Sequence, residues 1–297
     1  MRQNLIDFVK NTILFQYCLP HGKIEKSIYT TIDNDYCYAV SNDNDLATII
    51  FNAIIDYAFN EEELDEDLNQ LQVEAITQRM RIEEKDSDET QLKYGFFGEV
   101  LLNIILQILF KSKAIIAKGY FYDILNPEEN KGFDTWHFVS TEKGTSLWFG
   151  EVKFHQDYKE AIDDVFKNIE KAISDDYFRK NLLAFTPKRK LLNTDNKTIV
   201  ELIEKVRLNA KVSIESLKNE FSLKLVYPIF ILCNPLRDYD KTISSIIDRI
   251  KQKHSGKNLS IGLEYDLFFI LLPVNNVKQI KRTVLQWIKS NTQLTLL

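Results

Sequence analysis

The chain has 297 residues, of which 44% are hydrophobic and 27% charged. That is the composition of an ordinary globular protein, with enough length to bury a sizeable core in one or two domains. The three cysteines, Cys18, Cys37 and Cys233, form no CxxC pair and no zinc-ligand spacing, so we expect a protein of the reducing cytoplasm. The first ten residues are no secretory signal, and the apolar segment Phe96–Phe110 is shorter than the roughly 20 residues of a membrane span, so no membrane association is expected.

The charge is unevenly distributed along the chain. The net charge is −5, but residues 1–177 hold 17 Lys and Arg against 33 Asp and Glu, whereas residues 178–297 hold 21 against 10. Lys and Arg supply the sequence-independent part of phosphate-backbone binding, so a basic C-terminal part is compatible with nucleic acid. Solvated basic helix faces would give the same counts.

The N-terminal part predicts helices followed by an acidic stretch. The apolar segment Leu46–Phe59 predicts a buried helix, and Leu68–Ile82 has helical spacing inside the acidic residues 61–89. We place a boundary at residue 88, and we interpret residues 1–88 as an acidic interaction or regulatory region. The next segment, Glu89–Lys111, predicts one long buried helix that carries Glu99.

The remainder, residues 89–297, predicts one domain in which strands and helices alternate. The predicted elements follow in this order: three strand-like runs, a helix, an inserted helical segment at about 176–222 and two strand–helix units. The runs are Ala114–Asp123, Gly132–Val139 and Ser146–Phe154; the helix is Lys159–Ser174; the last strands are Leu225–Cys233 and Tyr265–Pro273. This order predicts an α/β fold with a mixed sheet flanked by helices and a mostly helical N-terminal extension.

The strand Leu147–Phe154 carries the residues that indicate chemistry. Side chains alternate along a strand, so Glu151 and Lys153 lie on the same face, among apolar neighbours. Burying a carboxylate and an ammonium there is costly unless they are paired or bound to a metal. If the preceding strand is antiparallel to this one, Asp134 lies beside Glu151.

This set of residues is suited to phosphodiester hydrolysis. Two carboxylates, Asp134 and Glu151, hold Mg²⁺, or Mn²⁺ in its place, and the metal polarises the phosphate and generates the attacking hydroxide. We expect Lys153 to orient or deprotonate that water, or to stabilise the charge that develops on the phosphate. Glu99 completes the metal site, although an acid near a helix N-terminus is also favoured by the helix dipole.

The sequence places Asp134 seventeen positions before the start of Glu151-Val152-Lys153, and it places Glu99 on a preceding helix. This arrangement resembles the PD-(D/E)XK nuclease pattern. Phe133 stands where the family name places a proline. More of the chain resembles the HamA family, the nuclease subunit of Hachiman anti-phage defence, which is similar to the smaller subunit of the Abp defence pair. The residues that carry this resemblance are Tyr94–Glu99, Lys131–Asp134 and Trp148–Lys153.

The HamA resemblance implies a DNA nuclease that a partner helicase restrains until infection is sensed. It also implies that Glu99, Asp134, Glu151 and Lys153 are the catalytic positions. No ATP-binding P-loop is present, so any ATP dependence resides in the partner.

Two further points stay open at this stage. Lys159, Lys188, Arg189 and Lys190 are candidate contacts to the nucleic-acid backbone, with a mobile basic loop as the simpler interpretation of the last three. The alternative function is a catalytically silent module of the same fold that binds nucleic acid or a partner subunit. An RNA-directed nuclease would carry the same motif.

Overall fold

A single mixed β-sheet is the centre of the fold. The computed structural model describes residues 1–25, 35–65, 67–80, 82, 85–122, 132–142, 144–236, 238–255 and 265–290. The strands within these ranges are β1 (Ile13–Leu19), β2 (Asp35–Val40), β3 (Lys113–Ala114), β4 (Thr135–Thr141), β5 (Gly144–Phe154), β6 (Lys224–Cys233) and β7 (Asp266–Pro273). They form one sheet in the order β1-β2-β7-β6-β5-β4-β3. The four strands from β2 to β5 in this order are parallel, and the remaining pairs are antiparallel.

Helices cover both faces of this sheet, which confirms the predicted α/β class. One face is covered mainly by α1 (Gln3–Thr12), α2 (Asp43–Asn52), α3 (Ile54–Ala58), α6 (Phe96–Leu109) and α12 (Val277–Lys289), with the short helices α4 (Leu68–Glu74) and α5 (Asp88–Gln91) beside them. The other face is covered by α7 (Tyr158–Ala172), α8 (Asp175–Phe185), α9 (Lys197–Leu208), α10 (Ile214–Glu220) and α11 (Tyr239–Ser255). A sheet with helices on both faces buries apolar side chains from both sides of each central strand, as β6 and β7 show.

Residues 1–88 contribute directly to the central sheet. Strand β2 pairs in parallel with β7, where Tyr36 lies opposite Ile270 and Cys37 opposite Leu271. Helix α2 packs against α12, and α3 packs against α6. This part of the chain is mostly helical, as predicted, but it shares its core with the C-terminal elements. The boundary at residue 88 stays a prediction.

The predicted helix Glu89–Lys111 is interrupted in the structure. It forms α5 and α6, separated by a tight segment in which the N–H groups of Lys93 and Tyr94 donate to carbonyls three residues earlier. Gly95 precedes α6 as its N-cap residue. The stretch Asp88–Leu109 is long and apolar enough to cross a membrane, but 72% of its most apolar window is buried inside the protein. That is the environment of a core helix.

The predicted strand Ala114–Asp123 is wrong beyond its first residue. Only Lys113–Ala114 pair as a strand, a 3-10 turn covers Lys118–Phe121, and Asp123 lies outside the described residues. Ile115 still donates its N–H to the Trp136 carbonyl, but the chain then turns away, and Phe121 is buried from a 3-10 turn. A short apolar run can be buried without forming a strand. The predicted basic loop is also wrong, because Thr186–Leu191 form a 3-10 helix.

Candidate functional site

Glu151 and Lys153 lie on the same face of β5, as the alternation predicts. Leu147 and Phe149 are fully buried in the core beneath α7 and α8, and Glu151 and Lys153 continue the same face towards the end of the strand. The Nζ atom of Lys153 lies 2.5 Å from Oε1 of Glu151, and their side chains are 18% and 14% exposed. The two residues therefore form a closely packed ion pair at the edge of the core.

Asp134 lies directly beside Glu151 because β4 and β5 are antiparallel. Its backbone N–H donates to the Gly150 carbonyl at 3.0 Å, immediately before β4 begins. Its carboxylate Oδ2 accepts the Val152 N–H at 2.7 Å. These two bonds fix the Asp134 carboxylate against the strand that carries Glu151, as the sequence pattern predicts.

Glu99 approaches from the opposite face of the sheet, in the first turn of α6. Helix α6 packs tightly on β5 because Gly98 faces Val152: a Cβ atom at position 98 would lie 2.9 Å from the Val152 side chain. The Glu99 residue is only 8% exposed, and its Oε2 accepts the Tyr57 hydroxyl at 2.6 Å. Its place in the first turn agrees with the helix-dipole interpretation, and its role in a metal site stays a prediction.

The carboxylates act on one another electrostatically. Burial, together with the charges of Glu99 and Glu151, raises the pKa of Asp134 to about 8, against the opposing effects of Lys118 and the Val152 N–H. Burial disfavours the charged form of Lys153, but the Glu151 carboxylate outweighs it and raises the pKa of Lys153. The site therefore keeps a firmly cationic lysine beside a carboxylate that resists ionisation.

Two pockets, each of about 200 Å³, meet at Asp134. The first, the tyrosine pocket, is lined by Asp134, Glu151, Asn168, Lys171, Tyr177 and Tyr227, among others. The second, the lysine pocket, is lined by Lys93, Glu99, Asp134, Lys153, His155 and Lys281, among others. Asp134 is the acid that lines both, so it divides the space around the site into two compartments.

Two buried tyrosines that the sequence analysis did not identify hold the acids in place. Tyr227 on β6 donates its hydroxyl to Oε2 of Glu151 at 2.5 Å, while Tyr57 holds Glu99. Burial and the Glu151 carboxylate raise the pKa of Tyr227 well above its usual value, so it is a stable donor. A buried tyrosine needs a hydrogen-bond partner for its hydroxyl. Tyr57 and Tyr227 stand within apolar runs of the sequence, and this context indicates that each hydroxyl bonds to a buried polar group.

The donor chemistry of the site fits a hard divalent cation. Asp134 and Glu151 offer carboxylate oxygens to one pocket, and a cation there would relieve the repulsion that raises the pKa of Asp134. Glu99 opens into the other pocket. In the described ranges, no three His, Cys, Asp or Glu side chains are grouped closely enough to enclose a metal ion. The residues that fit a cation best are therefore Asp134 and Glu151.

The four basic residues predicted to contact nucleic acid lie away from these pockets. Lys159 is in the first turn of α7, near the ring of Tyr158. Lys188, Arg189 and Lys190 lie in the 3-10 helix that follows α8, where Arg189 pairs with Glu204 at 3.4 Å. A contact from these residues to nucleic acid stays a prediction.

The fold and site define an α/β protein with a mixed sheet compatible with a nuclease-like fold, in which two carboxylates and a lysine meet on adjacent strands. The HamA family model matches residues 6–288, nearly the whole chain, and the chain belongs to the HamA family. This membership indicates a subunit of an anti-phage defence system. Searches of curated proteins and of solved structures found no match.

Proposed function

We propose that the chain is a metal-dependent DNA nuclease of the PD-(D/E)XK class and the effector of a Hachiman anti-phage defence system. The observation that carries the proposal is the position of Asp134 beside the Glu151–Lys153 pair on adjacent antiparallel strands. Acids and a lysine in this arrangement serve phosphodiester hydrolysis, because carboxylates hold a divalent cation and an ammonium stabilises negative charge on phosphate.

Each residue has a role that follows from its contacts. Asp134 and Glu151 would hold Mg²⁺, or Mn²⁺, with Glu99 in support from the lysine pocket. A cation held there would supply Lewis-acid chemistry, polarising a phosphate and lowering the pKa of a water molecule. Lys153 is cationic and paired with Glu151, and it would stabilise the charge that develops on the phosphate as the ester bond breaks.

Tyr227 and Tyr57 orient the acids. Each donates one hydrogen bond to one carboxylate oxygen and leaves lone pairs of that carboxylate for a cation or for Lys153. Tyr57 belongs to residues 1–88, so this region contacts the site through the hydrogen bond to Glu99. Control by a partner helicase is a part of the proposal that rests on family membership. A regulatory role for the acidic residues of this region rests on the charge balance of residues 1–177, which hold 17 Lys and Arg against 33 Asp and Glu.

One observation favours the alternative, a catalytically silent module that binds nucleic acid or a partner subunit. The Glu151 carboxylate is already bonded to Lys153 and to Tyr227. A cation has to compete with these contacts for Glu151. The two functions differ in whether phosphodiester bonds are broken.

Cleavage of plasmid and linear DNA in Mg²⁺ or Mn²⁺ tests the proposal. Glu151→Gln and Lys153→Met keep the size of each side chain and remove its charge, so each should reduce cleavage at least about a hundredfold. Glu215→Gln, an exposed position on α10, is the matched control and should cleave like the wild type.

The same assay should be run with the candidate helicase present and absent, and with an RNA oligonucleotide in place of DNA. Lower cleavage in the presence of the helicase supports restraint by that partner. Cleavage of RNA alone would move the substrate class to RNA. Folded proteins that cut nothing under any of these conditions would establish the silent module.

A further inference from the structure

Lys281 is a buried cation that the catalytic scheme does not use. It lies on α12, is 8% exposed, and faces the lysine pocket from the C-terminal part of the chain. Its Nζ donates to the carbonyl oxygens of Phe154 at 3.0 Å and of Leu92 at 3.3 Å. An ammonium has three donors, so one remains for a ligand. Among the described residues, no carboxylate lies within ion-pair distance of it.

Two further lysines and a histidine line the same pocket. Lys93 precedes α6 and is exposed, Lys153 comes from β5, and His155 follows β5. Burial lowers the pKa of His155; the positive charges of Lys153 and Lys281 lower it further, and Asp164 opposes them. The effect of Lys153 and Lys281 on His155 places both ammonium groups near it at this pocket.

The acids of the pocket are engaged with other groups. Glu99 accepts the Tyr57 hydroxyl, and Asp134 accepts the Val152 N–H. Burial lowers the pKa of Lys281 to about 8, so its side chain is still mainly protonated at neutral pH. A buried ammonium without a carboxylate partner is costly, and an anion in the pocket would offset that cost.

We propose that the lysine pocket binds a phosphate group of the nucleic acid that neighbours the cleaved phosphodiester, with Lys281 and Lys93 as its donors. This inference rests on the proposed nuclease function, because Asp134 and Lys153 connect the pocket with the reaction site. The pocket volume of about 200 Å³ is several times the roughly 30 Å³ that one water occupies, so a tetrahedral phosphate can enter.

Lys281 also has a structural role that the test must separate from binding. Its two carbonyl contacts connect the end of α5 and the end of β5 to α12. Replacing Lys281 will therefore affect stability as well as charge. Lys93 has no such role, since it is exposed and its side chain has no hydrogen bond or ion pair among the described residues.

Equilibrium binding without metal isolates the pocket from catalysis. Fluorescence anisotropy of a labelled DNA duplex in EDTA, from about 50 to 200 mM salt, gives the affinity and its salt slope. The variants are Lys93→Ala and Lys281→Met. Lys278→Ala, on the same helix α12 but paired with Glu89, is the control. Duplexes with and without a 5′-phosphate distinguish an internal phosphate from a terminal one, and inorganic phosphate is the competitor.

We expect Lys93→Ala to weaken binding roughly tenfold and to reduce the salt slope by about 0.9, the value for one lost phosphate contact. Lys281→Met should behave similarly at temperatures where circular dichroism shows it folded. An effect on both duplexes assigns an internal phosphate, and an effect confined to the 5′-phosphorylated duplex assigns a terminal one.

The inference is overturned if Lys93→Ala and folded Lys281→Met keep the affinity and slope of Lys278→Ala, or if the wild type binds no duplex. Cleavage is measured separately in Mg²⁺. If the wild type cuts DNA and these variants bind it unchanged, the proposed function is supported and phosphate binding in the lysine pocket is refuted. If the variants weaken binding but the wild type never cuts DNA, phosphate binding in the lysine pocket is supported and the nuclease function is refuted.

Discussion

Asp134 makes the stability of the protein depend on pH in a direction that can be measured. Its pKa is 3.8 in the unfolded chain and about 8 in the folded protein, since burial and the charges of Glu99 and Glu151 raise it. Between these values the folded state binds a proton that the unfolded state has lost. The free energy of unfolding therefore decreases as pH rises through this window. The destabilisation caused by ionised Asp134 is fully present above pH 8. Below the unfolded pKa it is absent.

The substitution Asp134→Asn removes this titration and keeps an oxygen that accepts the Val152 N–H. A single group contributes at most about 1.4 kcal/mol per pH unit, and we reduce this by about half because the residue keeps contact with solvent through two pockets. From pH 5 to pH 7, the variant should gain about 1 to 2 kcal/mol relative to the wild type.

Urea unfolding followed by fluorescence at pH 5, 6 and 7 measures this difference. Asp248→Asn, at an exposed position of α11, is the control and should follow the wild type. Added Mg²⁺ should raise the melting temperature of the wild type more at pH 8 than at pH 6, because binding requires ionised Asp134, and it should leave Asp134→Asn unchanged. Parallel pH profiles for wild type and Asp134→Asn would refute the electrostatic argument, and a metal response retained in the variant would refute the role of Asp134 in binding.

Two further substitutions test how the site is supported. Tyr57→Phe removes the hydroxyl that donates to Glu99 at 2.6 Å. Urea unfolding should show that the free energy of unfolding falls by about 1 to 3 kcal/mol, and DNA cleavage should decrease. Unchanged stability and cleavage would show that this hydrogen bond does not position Glu99. Gly119→Ala would place a Cβ atom 2.4 Å from the carbonyl oxygen of Ala58. Neither atom can move without moving the backbone, so we expect the free energy of unfolding to fall by about 1 to 3 kcal/mol in the same measurement. A urea midpoint equal to that of the wild type would contradict this close contact.

The parts of the fold that the sequence predicts are those with strong local patterns. The alternation in Leu147–Phe154 predicts which side chains share a face, and the apolar runs at β6 and β7 predict buried strands. Strands β1 and β2 were not predicted. Strand β1 is an edge strand with exposed residues such as Leu14 and Phe15, so its pattern lacks a clear apolar face. Strand β1 pairs with β2, and β2 pairs with β7, which lies far away in sequence.

The same limit applies to the site. Glu151 and Lys153 are two residues apart, and Asp134 lies on the neighbouring strand, so local geometry brings the three together. Tyr57 and Lys281 reach the site from helices about 40 residues before Glu99 and about 130 residues after Lys153, respectively. Only the packing of α3 on α6 and of α12 beside β5 places them there, and no local spacing encodes that packing.

The pairing of β2 with β7 has a consequence for the order in which the protein is made. On the ribosome, β2 emerges more than 200 residues before β7, the strand that connects it to the rest of the sheet. Until β7 has been synthesised, β1 and β2 have no place in the sheet and α2 lacks its contact with α12. The two sides of the candidate site therefore come together only late in synthesis, and a nascent chain carries Asp134, Glu151 and Lys153 for some time without the surroundings that organise them.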